Sequence, residues 1–367
     1  MNDLNTILSH FQLTGTPLTP KPLGAGLIND SFRVNTAEAD CPDYVLQRIN
    51  HAIFQDVDLL QRNIRQVTGH IRCKLAGQGI KDLDRRVLRF IPARDGKDYW
   101  YDGSSYWRMM VYVSDSYTQE AVTPASARNA GLAFGQFQQQ LADLPDTLGE
   151  TIPDFHNMEF RLQQLDQAVA ADPVGRVSTV QDLLQAVEER RQRMCQAERL
   201  HREGKLPKRI CHCDTKVNNM LFDRDGNILC VIDLDTVMPS FVFSDFGDFL
   251  RTGANPVAED EPDLKRIAFD LDIFKAFSEG YLQSAGSFLT PLEIELLPYA
   301  AELFPYMQFV RFLTDWINGD TYYKILYPEH NLVRSRAQLQ LLLCVEAQEQ
   351  AMQDHIRQLL QSPKNNQ

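Results

Sequence analysis

The residues best suited to chemistry lie in one short stretch, Ile210–Cys211–His212–Cys213–Asp214–Thr215–Lys216–Val217–Asn218–Asn219–Met220–Leu221–Phe222. A turn, Asp223–Arg224–Asp225–Gly226–Asn227, separates it from the apolar strand Ile228–Ile232, which ends on Asp233–Leu234–Asp235. Asp214, Asn219 five residues later, and Asp233 fourteen residues beyond that therefore fall on a loop and at two strand ends. An acid, a carboxamide and a second acid so placed suit phosphoryl transfer from a magnesium nucleotide. One carboxylate accepts the proton of the attacking hydroxyl, while the other two groups hold the metal. Mg2+ is a hard ion that takes oxygen ligands, so Asp and Asn fit it where Cys and His do not.

Two competing patterns overlap this stretch. Cys211–His212–Cys213 suggests a soft metal, but structural zinc needs a second ligand pair at short spacing, and the chain has none. Two cysteines on a strand leading into the loop, with His212 anchoring it by hydrogen bonds, is the better reading. Asp245–Phe246–Gly247 spells the magnesium motif of protein kinases, yet it lies 31 residues after Asp214 with no clear hairpin before it. Asp233 lies 19 residues after Asp214 and ends a hydrophobic strand, so the metal is assigned to Asp233. Asp235 is either a second metal contact or a loop brace. The run Asp245–Phe246–Gly247–Asp248 either braces the loop or caps a helix.

His212-x-Asp214-x-x-x-x-Asn219 followed by Ile232–Asp233–Leu234–Asp235 resembles the catalytic-loop and metal-loop pair of the aminoglycoside phosphotransferase and choline kinase superfamily. The longer run, from Asp214 through Thr236–Val237–Met238–Pro239 to Asp248, is similar to bacterial N-acetylhexosamine 1-kinases. The resemblance implies an α+β, bilobal protein-kinase-like fold: a small antiparallel-sheet N-lobe and a larger, mainly helical C-lobe. It also implies ATP and Mg2+ as cofactors. Asp214 would then be the catalytic base at the acceptor, Lys216 the neighbour of the γ-phosphate, and Asn219 and Asp233 the magnesium ligands. Arg311–Asp315 and Asn318–Tyr323 resemble the acceptor-binding segment of the same kinases, so Arg311 and Tyr322 would bond sugar hydroxyls with Thr236 nearby. The alternative for Arg311 is an ion pair with an Asp across helices. The implied activity is phosphorylation of the anomeric hydroxyl of an N-acetylhexosamine. Other readings are a kinase for choline, homoserine or an aminoglycoside, and a catalytically silent nucleotide-binding regulator.

These residues need elements to hold them. Leu23–Gly24–Ala25–Gly26 leads to Ser31–Val34, which with Tyr44–Ile49 reads as two antiparallel strands around a loop at Glu38 to Asp43, and Gly24–Ala25–Gly26–Leu27–Ile28–Asn29 is a loop whose backbone N–H groups can meet phosphates. Arg48 on the second strand is the candidate cation for the α- and β-phosphates, or else a solvated strand residue. No Glu occurs between Glu38 and Glu120, which leaves Asp56, Asp58 or nothing to pair with it. Val57, Leu60, Ile64, Val67, Ile71 and Leu75 predict a helix. Strands are expected over 87–91 and 106–113, separated by Asp102–Gly103–Ser104. From Thr123–Pro124 the texture turns helical, with helices predicted to 141 and over 158–171, 178–203, 263–285, 291–318 and 331–361. A nucleotide lobe over 1–117, a connector near 114–119, and a catalytic and acceptor lobe over 118–367 follow.

Composition narrows the partners. The chain has 367 residues, with 37 Lys plus Arg against 49 Asp plus Glu, for a net charge of −12. That acid excess argues against non-specific nucleic-acid binding, which needs clustered cations. Five of the acids (Asp214, Asp233, Asp235, Asp245 and Asp248) fall within 35 residues, where Mg2+ would balance part of their charge. Seven scattered cysteines suggest a reducing setting rather than a disulfide framework. The opening MNDLNTILSHF lacks a basic and an apolar segment, and no run spans a bilayer, so a cytoplasmic protein off the membrane is expected. Monomer or weak dimer is the expected state, with a sugar and a nucleotide as partners.

Overall fold

The computed structural model describes residues 4–24, 28–119, 121–145 and 147–361. Gly26, one of the two glycines expected to meet phosphate, lies outside the described residues. The chain forms two compact units. The first comprises Met1–Thr118, Asp143–Pro153 and Met220–Met238; the second comprises Gln119–Ala142, Asp154–Asn219 and Pro239–Gln367. The division expected at residue 117 falls beside the first change of unit, but two later segments return to the first unit.

The first unit opens with α1 (Leu4–Leu8), followed later by α2 (Val57–Gly77) and the single turn α3 (Leu83–Arg86). α2 buries the stripe expected of it, including Leu60, Ile64, Val67, Ile71 and Leu75. Asp56 caps it by accepting from the Leu59 N–H at 2.8 Å, satisfying one of the donors every helix start leaves open. The strands β1 (Lys21–Pro22), β2 (Asp30–Val34), β3 (Tyr44–Ile49), β4 (Phe90–Ile91), β5 (Trp100–Tyr101) and β6 (Tyr106–Val111) make one sheet. Its order is β1-β2-β3-β6-β4, with β5 also on β6, and the pairings are antiparallel. The strand expected over 87–91 shrinks to β4 because α3 takes up the chain before it. The Asp102 turn joins β5 to β6, its carboxylate accepting from the Ser105 N–H (2.8 Å) and the Trp107 indole N–H (2.9 Å).

Strand alternation decides which side chains can meet. One face of the sheet presents Tyr44, Leu46, Trp107 and Met109, which pack with Ile7 and Leu8 of α1. The other face carries Ser31, Gln47 and Arg108, which are direct cross-strand partners on β2, β3 and β6. The returning hairpin, Met220–Phe222 with Ile228–Val231, is tied in by paired backbone bonds between Phe222 and Tyr117 of 2.9 and 3.0 Å. The other returning segment is held by Asn63 of α2, whose amide donates to the Gly149 carbonyl at 2.7 Å.

The second unit is helical: α4 (Pro124–Leu141), α5 (Met158–Ala171), α6 (Gln181–Met194), α7 (Gln196–Arg202), α8 (Phe243–Gly253), α9 (Leu271–Ala285), α10 (Pro291–Glu295), α11 (Leu297–Ile317), α12 (His330–Glu346) and α13 (Glu349–Gln361). Thr123 and Ser126 cap α4 reciprocally, with Pro124 in the first turn as the sequence indicates. Three predicted helices are each broken once, at Cys195, at Leu296 and at Ala347–Gln348. At the second break the cause is Pro298, which has no N–H to offer the Ile294 carbonyl. Apolar spacing is blind to such one- or two-residue interruptions. α9 starts later than expected because Asp270 caps it, accepting from Asp272 and Ile273. Among the described residues no helix is long and apolar enough to cross a membrane.

Backbone contact sets how closely α4 and α9 approach. A Cβ placed on Gly280 would stand 1.9 Å from the Arg128 carbonyl oxygen, and one on Gly131 would stand 2.2 Å from the Phe277 carbonyl oxygen. Gly69, on the exposed side of α2, has nothing within 4 Å of such an atom. Gly280→Ala is expected to destabilise the protein by about 1–3 kcal/mol or more through overpacking. Gly69→Ala should stabilise it by about 0.5–1 kcal/mol through helix propensity. Urea titration of the two variants reads both signs.

Candidate active site

The loop that carries Asp214 is built on a buried acid. Asp245, in the first turn of α8 and fully buried, accepts from the backbone N–H of His212 (3.0 Å) and of Cys213 (2.8 Å) and from the Gln138 amide (2.6 Å). Burial pushes its carboxyl up, against the opposing pull of His212 and these three donors. Asp248, one turn on, accepts from the Thr215 N–H at 3.1 Å and pairs with Arg251 at 3.0 Å. Asp245 and Asp248 therefore brace the loop, and neither caps the helix, whose N-cap is Val242 with no side-chain cap bond. His212 is buried edge-on to Phe134 and Phe137 of α4, and its Nδ1 accepts from the Asp214 N–H at 3.3 Å. Burial holds the Cys211 and Cys213 thiols well above their ordinary range, so they behave as small core residues.

This bracing pushes Cys213 to φ +64°, a left-handed conformation costly for a residue with a Cβ. The next residue, Asp214, is half-buried. Its carboxylate pairs with the Lys216 ammonium at 2.8 Å, and its carbonyl and Oδ2 accept from the Asn219 amide at 2.8 and 3.1 Å. Burial alone would lower the Lys216 ammonium, but Asp214 and Asp248 hold it above its ordinary value, so it stays charged. Because the Asn219 NH2 group faces Asp214, its Oδ1 is left as an oxygen donor with no partner among the described residues. Asp214, Lys216 and Asn219 thus form one constellation in the second unit.

The remaining expected nucleotide and metal residues belong to the first unit. Asp233 follows the strand Ile228–Val231, exposed and at φ +58°, and opens a short turn over Leu234–Thr236. Its carboxylate is a hard oxygen donor of the kind Mg2+ takes. Asp235 is fully buried and committed elsewhere: its two oxygens accept from both terminal nitrogens of Arg108 on β6, and Oδ2 also accepts from the Asn29 amide at 2.6 Å. Asn29 in turn accepts the Asn50 N–H at 2.9 Å, and the Asp235 carbonyl takes the Thr151 hydroxyl at 2.8 Å. Of the two roles read from sequence, the contacts of Asp235 are those of a brace. Thr236 buries a hydroxyl that has no partner among the described residues.

Arg48 corrects an expectation of partner. It is paired with Asp30, directly opposite on β2, instead of Asp56 or Asp58; Asp56 caps α2 and Asp58 accepts from Tyr99. By strand alternation it shares the face of Leu46, whereas Asp235 is reached from the opposite face through Gln47 and Arg108. The buried cation missed in the sequence is Arg108. Its signal was a lone charge inside the apolar run Tyr106–Val111. Gly24 is exposed with φ +69°, a conformation that glycine adopts without strain.

Arg311 and Tyr322, the residues expected to bind the acceptor, both line a cavity of about 450 Å³ in the second unit, where Arg161, Thr314, Asp315 and Tyr323 also stand. Asp315 is the architect of the wall, accepting from the backbone N–H groups of Thr321, Tyr322 and Tyr323 at 2.8–2.9 Å. Among the described residues Arg311 has no carboxylate partner: it donates to Gln308 at 3.2 Å and lies over the Phe155 and Tyr323 rings. The ion pair across helices is therefore not formed. His156, stacked on Phe155, is kept neutral by burial and by the fields of Arg311 and Arg161, opposed by that of Asp214.

A small antiparallel sheet, a larger helical unit and a loop bearing an acid with a carboxamide five residues on are the features of a phosphotransferase of protein-kinase-like fold. Residues 19–283 match the phosphotransferase enzyme family, and the chain belongs to that family. Solved structures share the fold at low identity. A microcompartment-associated aminopropanol kinase is 16% identical with a TM-score of 0.55, covering 95% of this chain and 98% of its own. A spectinomycin phosphotransferase in complex with ADP and spectinomycin is 13% identical with a TM-score of 0.56, covering 94% and 99%. A choline/ethanolamine kinase family protein from Mesorhizobium loti is 14% identical with a TM-score of 0.51, covering 94% and 92%.

Breaking the Arg108–Asp235 pair from one side strands a buried charge. Arg108→Met is expected to lower stability by about 3–5 kcal/mol, and adding Asp235→Asn should restore part of that loss. A urea double-mutant cycle measures the coupling; a loss below ~1 kcal/mol in Arg108→Met would show the pair to be solvated.

Proposed function

We propose that the protein is an ATP- and Mg2+-dependent sugar kinase that phosphorylates the anomeric hydroxyl of an N-acetylhexosamine. The observation that carries the reading is the constellation of Asp214, Lys216 and Asn219 on a loop held by buried acids. Asp214 orients the acceptor hydroxyl and takes its proton as that oxygen attacks the γ-phosphorus in line and ADP leaves. Lys216, kept cationic, offsets charge that develops on the transferred group. When bound, Mg2+ supplies charge neutralisation at the phosphates, and Asn219 Oδ1 and the Asp233 carboxylate are the groups to hold it. Backbone N–H groups around Gly24 and Gly26 cover the phosphates in this reading, with Asn29 acting through Asp235. Arg48 serves a phosphate only by exchanging Asp30 for it.

The acceptor class follows from charge. Similar structures include proteins named for amine acceptors, aminopropanol and choline or ethanolamine. A cation entering beside Arg161 and Arg311 would meet like charge, whereas hydroxyls can accept from both guanidinium groups and from Tyr322. Thr236, whose buried hydroxyl has no partner among the described residues, keeps the acceptor-binding role expected of it in the proposal. Seven free cysteines support a reducing, cytoplasmic setting, and monomer or weak dimer is the proposed state.

A panel of N-acetylhexosamines, choline, homoserine and aminoglycosides, read by ADP release with Mg2+, should give turnover on the sugars. Turnover on amines alone would replace the sugar reading, and ADP release with no acceptor in the panel would leave no kinase reading for these substrates. Asp214→Asn should lower kcat by at least ~100-fold while nucleotide still binds. Activity kept in that variant would remove Asp214 as the base.

A further inference from the structure

The two arginines at the cavity are unusual in their lack of partners. Arg161 and Arg311 are both half-buried and both line the same 450 Å³ space. Arg161 donates to the Phe155 carbonyl at 2.8 and 3.2 Å and to the Gln164 side chain at 2.8 Å; Arg311 donates only to Gln308. Neither has an ion-pair partner among the described residues, although elsewhere in this chain buried arginines such as Arg108 and Arg251 are matched to carboxylates. Asp315, the acid at the cavity wall, is already satisfied by three backbone N–H groups and the Asn331 amide. Asp154, whose field also reaches Arg161, is engaged by Asn157 at 2.7 Å.

The cost of this arrangement shows in Arg161 itself. Burial, and after it the neighbouring Arg311, bring its guanidinium down to about 10. Two such cations side by side, each with unused N–H donors, are stable together once an anion enters between them. The cavity is also placed for the reaction. His156 feels the fields of Arg311, Arg161 and Asp214 together, so the cavity arginines and the catalytic-loop acid act on one buried ring.

We infer that the cavity holds an anionic substituent of the acceptor, a carboxylate or a phosphate ester bound by Arg161 and Arg311, so that the substrate is an acidic N-acetylhexosamine. This rests on the sugar-kinase reading for the identity of the acceptor, but not for the existence of the anion site. A guanidinium pair recognises both groups through its fork of donors, and a volume of a few hundred Å³ suits one sugar ring with its substituent. Neutral sugars would leave both charges unanswered.

The test compares N-acetylglucosamine, its 6-carboxylate (the uronic acid) and its 6-phosphate, by calorimetric binding without nucleotide and by ADP release with it. At least one acid is expected to bind about tenfold more tightly than the neutral sugar and to turn over with the higher kcat/KM. The two acids distinguish the source of the charge. Arg161→Gln should erase the preference by weakening the acidic sugar about tenfold more than the neutral one, and Arg161→Lys should restore part of it. Equal binding of neutral and acidic sugars, or loss of both alike in Arg161→Gln, overturns the anion site even if the neutral sugar is phosphorylated. Arg161-dependent binding of an acid without turnover keeps the anion site and overturns the kinase reading. Neither binding nor turnover overturns both.

Discussion

The site depends on the burial of one carboxylate. Asp245 stands at the start of α8 with no route to water and accepts from two consecutive backbone N–H groups, those of His212 and Cys213. A buried carboxylate left unpaired is too costly to survive, so the chain around it is held wherever those donors must be. Cys213 pays with a left-handed φ, and Asp214 is turned out beside Lys216 and Asn219 as a result. The same economy operates in the first unit. There Asp235 is held by Arg108 and Asn29, and the turn that begins at Asp233 is fixed with it.

Buried acids that shape backbone, each preceded in the chain by an acid open to solvent, account for the density of Asp in this stretch. Asp245 and Asp235 shape backbone; Asp214 and Asp233 remain reachable for chemistry. The division is one of burial rather than residue type. It also separates the kinase-like Asp245–Phe246–Gly247 spelling from the role that spelling suggests.

Much of this was legible in the sequence where a local signal exists. Thr123–Pro124 announced a helix start, the spacing from Val57 to Leu75 announced α2, and the Asp214–Asn219 interval with its flanking strands announced the loop. What escaped reading depends on facing and on distant partners. Arg48 and Gln47 are neighbours in sequence but lie on opposite faces of a strand, and only the pairing register assigns them. Arg108 joins Asp235 across 127 residues, and Arg161 meets Arg311 across 150, so no local pattern links them. Helix interruptions at Cys195 and Leu296 were hidden because apolar faces continue through them.

In the proposed reaction Asp214 takes the proton of a sugar's anomeric hydroxyl as that oxygen receives the γ-phosphoryl group of ATP. The most direct measurement is phosphorus and proton NMR of the product formed from an N-acetylhexosamine, neutral or acidic, with ATP and Mg2+. A phosphorus coupling to the anomeric proton is the predicted result. Phosphate on another hydroxyl, or product only from an amine-bearing acceptor, would contradict it.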